Sequence, residues 1–274
     1  MATVAIVGLG LMGGSLALAL KRARPELTLI GVDQDQLTLR RALERDVVAI
    51  AGPDLDAAAA ADLVVLAVPV LAMRSLLPQL AGSRALITDL ASTKADVMAW
   101  AAAARVDLVG GHPMCGREAS GLEAADPDLF LGAPWVLTRA EPRLEDLVRA
   151  VGAHPLVLDP GTHDRLVAGV SHAAFLLSAA YLLSVTGAPD WPQAGRLASS
   201  GFRDMTRLAA GEPAMYTGIA ATNRAHIGEA LDRFEAALAR VRRHLDRDDP
   251  RLTELFEEAR DARRRWEEAD GHRP

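Results

Sequence analysis

The stretch Val4-Ala5-Ile6-Val7-Gly8-Leu9-Gly10-Leu11-Met12-Gly13-Gly14-Ser15-Leu16 decides how the rest of the chain is read. Its short apolar, β-branched start predicts a buried parallel strand, and Leu16 to Leu20 predicts a helix packed on a sheet. Between them stands a Gly-x-Gly-x-x-Gly turn. Gly8 permits the turn, Gly10 lets a pyrophosphate approach the backbone, and Gly13 lets helix and strand pack closely. The helix start offers unpaired N–H groups and a positive dipole end to phosphates. A second apolar run, Leu27 to Val32, ends at Asp33, about 20 residues past the third glycine, where a carboxylate holds an adenosine ribose. Asp33 predicts NAD, because its charge would repel the 2′-phosphate of NADP and no arginine directly follows. The expected cofactor contacts are Gly8, Gly10, Leu11, Met12, Gly13 and Asp33, joined by Val68 and Pro69 at the end of a later strand.

Composition bounds the rest. The 274 residues suit two domains, and the core must be mainly Ala, Leu and Val, because 50% of the chain is hydrophobic but only 4% aromatic. A net charge of −6 argues against a general nucleic-acid or membrane surface. The single cysteine excludes an internal disulfide and a zinc site of the cysteine type, and fits a cytoplasmic protein. No metal is expected. The apolar start contains the glycine turn and lacks the basic segment of a signal peptide.

Further strands are predicted at Leu63 to Val68, Ala85 to Leu90, Leu108 to Gly111, Ala133 to Thr138 and Leu156 to Leu158, with helices between them. This alternation predicts a doubly wound, Rossmann-type α/β domain over residues 1–160 with its ligands at the carboxyl ends of the strands. Residues 161–274 read as an all-α domain. Thr162 is the expected cap of a long apolar helix reaching about Val185, and more helices follow at Gly201 to Ala210, Pro213 to Leu245 and Pro250 to Glu268. The long helix approaches a membrane span in length, but His172 and three serines interrupt it, so burial in a helical domain or homodimer is expected. The arginine-rich stretches Arg240 to Arg247 and Arg260 to Arg265 alternate with acids and read as solvated faces.

Four polar groups stand where this fold places chemistry: Ser92, His112, His172, and the Arg203/Arg207 pair, with Glu118 shortly after His112. Neutral imidazole can take the proton of an alcohol during hydride transfer near pH 7. An arginine fork grips a carboxylate in two places. Plainer roles compete: Ser92 as a helix cap, His112 as the stiffener of a His-Pro turn, His172 as a satisfied core residue, Arg207 as the partner of a neighbouring carboxylate. Cys115 reads as a space-filler.

The stretches Thr88-Asp89-Leu90-Ala91-Ser92-Thr93-Lys94, Gly111-His112-Pro113-Met114-Cys115-Gly116-Arg117-Glu118, Val170-Ser171-His172 and Gly201-Phe202-Arg203-Asp204-Met205-Thr206-Arg207 follow the glycine turn in order. Together they resemble the prephenate/arogenate dehydrogenase family of tyrosine biosynthesis, from about Val4 to Leu208. The resemblance implies His112 as the residue that accepts the proton of the substrate's C4 hydroxyl, and Ser92 as its helper. It implies Arg207 at the ring carboxylate, His172 lining the pocket, Glu118 at its mouth, and a C-terminal helical dimerisation domain. Hydride passes from C4 to NAD, the ring carboxylate leaves as CO2, and aromatisation drives the reaction. Arg117 and Phe175 depart from the family pattern, which more often has a small residue and a second histidine there. Both positions are expected to face the substrate side chain, where prephenate and arogenate differ, and inhibition by tyrosine also stays open.

Two other readings remain. β-Hydroxyacid dehydrogenases share the opening motif but use a lysine on the first long interdomain helix, where this chain has His172 and no lysine. A non-catalytic NAD-binding sensor is the alternative of a different class.

Overall fold

The computed structural model describes residues 1–58, 60–245 and 249–270. β1 (Thr3–Val7), α1 (Leu11–Ala23), β2 (Thr28–Val32), α2 (Gln36–Glu44), β3 (Ile50–Gly52), β4 (Leu63–Leu66), α3 (Met73–Leu76), β5 (Leu86–Asp89), α4 (Ala95–Ala103) and β6 (Leu108–Val109) form the first half. Their six parallel strands run in the order β3-β2-β1-β4-β5-β6. The direction of winding reverses between β1 and β4, so the crevice at their carboxyl ends is the ligand site of this topology. Strand alternation sends Val4 and Ile6 to one core with Leu16 and Leu20 of α1. Ala5 and Val7 go to the opposite core with Val64, Leu66 and Met73. Both faces are covered, which is why β1 and β4 read as unbroken apolar runs.

The alternation of elements predicts every later strand in this one sheet, but the structure holds three of them in a second sheet. After β6 the chain leaves the first sheet, and β7 (Gly111–Pro113) pairs antiparallel with β8 (Pro134–Leu137). After α5 (Pro142–Ala150), β9 (His154–Val157) pairs parallel with β8 to complete a separate three-stranded sheet. The expected Leu108–Gly111 strand is thus two strands broken at Gly110. Gly111 is pressed so closely on β5 that a Cβ there would overlap the Asp89 carbonyl, while its N–H donates to Asp89 Oδ2 at 3.2 Å. β3 was not anticipated. It is a three-residue edge strand ending in glycine, too short to show a period.

Among the described residues no strand follows Val157. α6 (Pro160–Val167) runs through a π-helical turn at Ala168–His172 into α7 (Ala173–Thr186). α8 (Trp191–Ala194), α9 (Ser200–Thr206) and α10 (Pro213–Thr222) follow. The cap of α6 is Asp159, not Thr162: its carboxylate accepts the Thr162 N–H at 3.0 Å, and Pro160 takes the first helical position. The compact unit that begins at Met1 continues to Arg224.

The second unit, Ala225–Pro274, contains most of α11 (Arg224–His244) and all of α12 (Pro250–Asp270), tied by Arg240 to Glu258 at 2.7 Å. Arg240, Arg242, Arg243, Arg260 and Arg263 to Arg265 are exposed, and Arg247 lies outside the described residues. The helix Pro160–Thr186 is long and apolar enough to cross a membrane, with a mean hydropathy of 1.8 in a window that is only 28% buried.

Candidate active site

The cofactor side is built by the first βαβ unit. Gly8 holds φ +95°, and a Cβ on Gly13 would overlap the Gly8 carbonyl, so strand and helix meet only through glycine. A Cβ on Gly10 would meet nothing, which leaves backbone open toward the crevice. α1 starts at Gly10 with no side-chain cap and no acid in its first turn, so its N–H groups stay available for an anion. Asp33 is held at the turn by the Leu9 N–H on Oδ2 (2.8 Å) and the Asp35 N–H on Oδ1 (2.9 Å). Val68 packs beside Gly8 at the end of β4, Pro69 is exposed next to it, and Leu11 and Met12 are half-buried. All eight expected residues share one carboxyl edge, and this glycine-lined cradle with its uncapped helix start fits a dinucleotide.

His112 stands just beyond that edge, on β7, with 7% of its surface exposed. Its Nδ1 lies 2.8 Å from Nε2 of His163 on α6, and His163 Nδ1 lies 2.7 Å from Asp164 Oδ1. Asp164 also receives the backbone N–H groups of Lys94 (2.8 Å) and Ala95 (2.9 Å) at the start of α4. It therefore fills the capping role that the sequence offered to Ser92. Burial opposes charge on Asp164, but the hydrogen bonds from His163, Ala95 and Lys94 outweigh it and hold its pKa below the usual carboxylate value. Beneath His112, Lys94 and Asp89 form a fully buried ion pair. Burial lowers the Lys94 pKa, with Asp89 opposing. Burial also drives the His112 pKa well down, with His163, Lys94 and His172 adding to the shift. Its imidazole is neutral near pH 7.

His172 is 1% exposed. Asn223 Nδ2 donates to its Nδ1 at 3.1 Å and to the Asp164 carbonyl at 2.7 Å. Nε2 is buried without a well-formed hydrogen bond, although the nearby Ser92 carbonyl favours a proton there. Burial lowers the His172 pKa to about 4, against the pull of Asp164. The π turn makes this arrangement possible. In an unbroken α-helix eight residues would leave Asp164 and His172 about 80° apart, whereas the extra residue absorbed by the wider turn brings them onto one face. Ser92 is half-buried after β5, on the same edge.

Arg207, 60% exposed at its side chain, pairs with Glu118. Arg117 pairs with Asp126 instead, and Arg203 is exposed with no ion pair among the described residues. Phe175 stacks on Tyr216 with ring centres 4.2 Å apart, and Tyr216 feels the charges of both Glu118 and Arg207. Burial pushes the Cys115 thiol up to about 12, away from the thiolate form. Sequence reasoning missed His163, Asp164, Lys94, Asp89 and Asn223. The available signal was an adjacent His-Asp pair in the first turns of the long helix, just after its Asp159-Pro160 start.

Residues 16–151 match the family described as prephenate dehydrogenase, nucleotide-binding domain. Residues 159–258 match prephenate dehydrogenase, dimerization domain. A prephenate dehydrogenase of Lactococcus lactis is 33% identical, covering 100% of this chain and 80% of its own. The crystal structure of Synechocystis arogenate dehydrogenase is similar, with a TM-score of 0.80 at 32% identity over 96% of this chain and 99% of that one. The Aquifex aeolicus prephenate dehydrogenase, solved with hydroxyphenyl propionate and NAD+, gives 0.90 at 25% identity over 97% and 98%.

Proposed function

The chain belongs to the prephenate dehydrogenase family, and from that premise we propose how its own residues carry out NAD-dependent oxidative decarboxylation of prephenate. NAD, when bound, supplies the hydride acceptor. His112 accepts the proton of the C4 hydroxyl as a neutral base, and Ser92 on the same edge helps hold that hydroxyl. Arg207 takes the ring carboxylate in place of Glu118, which keeps the guanidinium poised until substrate arrives. His172, held at Nδ1 by Asn223, forms part of the pocket wall. Once hydride and CO2 have left, the ring is an aromatic phenolate that takes the proton back from His112, so the chain needs to supply position and one group that holds that proton in transit. The observation that carries this reading is a buried, neutral histidine set directly beyond a dinucleotide-shaped carboxyl edge.

Residues 1–160 serve NAD and 161–274 serve substrate and dimerisation in this proposal. The exposed apolar helix face, with Val170 77% and Leu183 69% open, is the dimer seam. A membrane span is a poor alternative, because the same helix carries His163, Asp164 and His172 into the polar site. A cytoplasmic location agrees with a cofactor-dependent enzyme that has a single, half-buried thiol.

Arogenate is the second reading, favoured by the likeness to the Synechocystis enzyme. Purified protein with NAD is mixed with prephenate or arogenate, and NADH absorbance is followed beside CO2 release. NADH without CO2, or no turnover of either compound, removes the proposal. A faster reaction with arogenate moves it to the second reading.

A further inference from the structure

His112 alone does not determine which of its nitrogens faces the substrate. Two residues behind it do. His163 is completely buried, and its two nitrogens are both engaged, one with His112 Nδ1 and one with Asp164 Oδ1. Asp164 is sealed from water at the start of α4, where two backbone N–H groups and the positive end of the helix favour its ionised form. An ionised carboxylate only accepts, so His163 Nδ1 donates to it. With one proton on each ring, His163 Nε2 then accepts, and His112 Nδ1 must donate. The only lone pair left on His112 is on Nε2, which has no hydrogen-bond partner among the described residues.

We infer that His163 and Asp164 are positioning residues that lock His112 in the Nδ1–H tautomer and keep Nε2 bare for the substrate hydroxyl. This rests on the proposed role of His112. When Nε2 takes a proton, the Nδ1–H bond spreads the new charge toward His163, with Asp164 at the far end. The arrangement parallels the carboxylate-oriented histidine of hydrolase triads, lengthened by one imidazole. The other charged or titratable groups facing His112 are Lys94, paired with Asp89 below the strand, and His172 on the π turn. Lys94 and His172 both disfavour the imidazolium, so at rest the ring stays neutral and the tautomer is the property left to set.

The test uses the full-length protein. In the cofactor-free protein, nitrogen NMR shifts of the imidazoles read the tautomer directly, and His112 is expected as Nδ1–H. Asp164→Asn retains an oxygen to cap α4 but offers an N–H to His163, which reverses the chain of donors and puts the proton on His112 Nε2. This variant is expected to lose about 10²–10⁴-fold in kcat with KM within about threefold and NAD affinity unchanged. His163→Gln, whose carbonyl can still accept from His112, is expected to recover part of the turnover that His163→Leu loses. A wild-type His112 protonated at Nε2 overturns the inference. So does an Asp164→Asn enzyme with kcat within about threefold of wild type, or a Gln variant no better than Leu. If the wild type oxidises neither cyclohexadienyl acid, the family-based role of His112 fails, while the NMR result still decides the tautomer lock on its own.

Discussion

Two polar clusters of this chain are built on opposite principles. Asp89, Lys94, Asp164, His163 and His112 form a sealed group in which each is at most 7% exposed. Arg207 and Glu118 form an open pair, with side chains 60% and 24% exposed. The sealed group cannot exchange its partners for water, so its protonation pattern is fixed by the fold. The open pair can exchange Glu118 for a substrate carboxylate at little cost, because an exposed ion pair contributes only about 0–1 kcal/mol. In the proposed reaction this puts rigidity where the proton moves and exchangeability where the substrate enters.

The sealed group is tested most directly at His112. His112→Asn is expected to lower kcat about 10²–10⁴-fold with NAD binding intact, measured by steady-state kinetics beside a cofactor titration. Near-normal turnover would pass the proton-accepting role to His172.

Lys94→Met tests whether the inner pair is sealed as described. It leaves Asp89 charged and buried without its cation, so unfolding free energy is expected to fall by about 3–5 kcal/mol in a urea titration. A double change, Lys94→Met with Asp89→Leu, should recover much of that. A loss below about 1 kcal/mol in the single variant would mean that water reaches the pair.

Acid offers a third test. His172 has a folded pKa of about 4 against about 6.5 in the unfolded chain, so between these values the unfolded state binds more protons. Its neutral form costs nothing above about pH 6.5, and stability then falls as the pH drops toward 4, by on the order of 3 kcal/mol. His112, also depressed, adds to the same slope. His172→Gln is expected to flatten the curve; an unchanged slope between near pH 7 and near pH 4 would show that the ring is hydrated.

The open pair should respond in KM. Arg207→Ala is expected to raise KM for prephenate roughly 10- to 150-fold, the loss of about 1.5–3 kcal/mol from a charge-assisted fork, with NAD affinity unchanged. Arg207→Lys should recover only part. Glu118→Gln should leave stability within about 1 kcal/mol of wild type. If Arg207→Ala weakens NAD and spares KM, Arg207 serves the fold, and Arg117 would have to leave Asp126 to act as the anchor.

The six-stranded sheet was legible where local pattern and final environment agree. β1, β4 and β5 are continuous apolar runs because both faces of a parallel sheet are covered, and the glycine turn carries its own geometric demand. β3 and the second sheet were not legible. A three-residue edge strand has no period, and whether Gly110-Gly111 continues a strand or breaks it depends on the Asp89 carbonyl 22 residues earlier.

By itself the sequence determined the doubly wound start, the dinucleotide cradle at Gly8 to Gly13, the carboxylate at Asp33 and the positions of Ser92, His112, His172 and Arg207. The turn, Asp33, Ser92 and His112 are matters of residue type at a strand end, defined by neighbours in the chain, whereas His172 inside the long helix and Arg207 were singled out by the resemblance of the stretches around them. Only the tertiary structure decided who their partners are. It joined His112 to His163 across 51 residues, set Asp164 at the start of α4 across 70, and gave Arg207 to Glu118 across 89. It also turned the helix through a π segment so that Asp164 and His172 meet Asn223. A hydrogen bond across such distances depends on how separate elements pack, and one extra residue in a helical turn, which no local propensity announces, changes the face on which a side chain arrives.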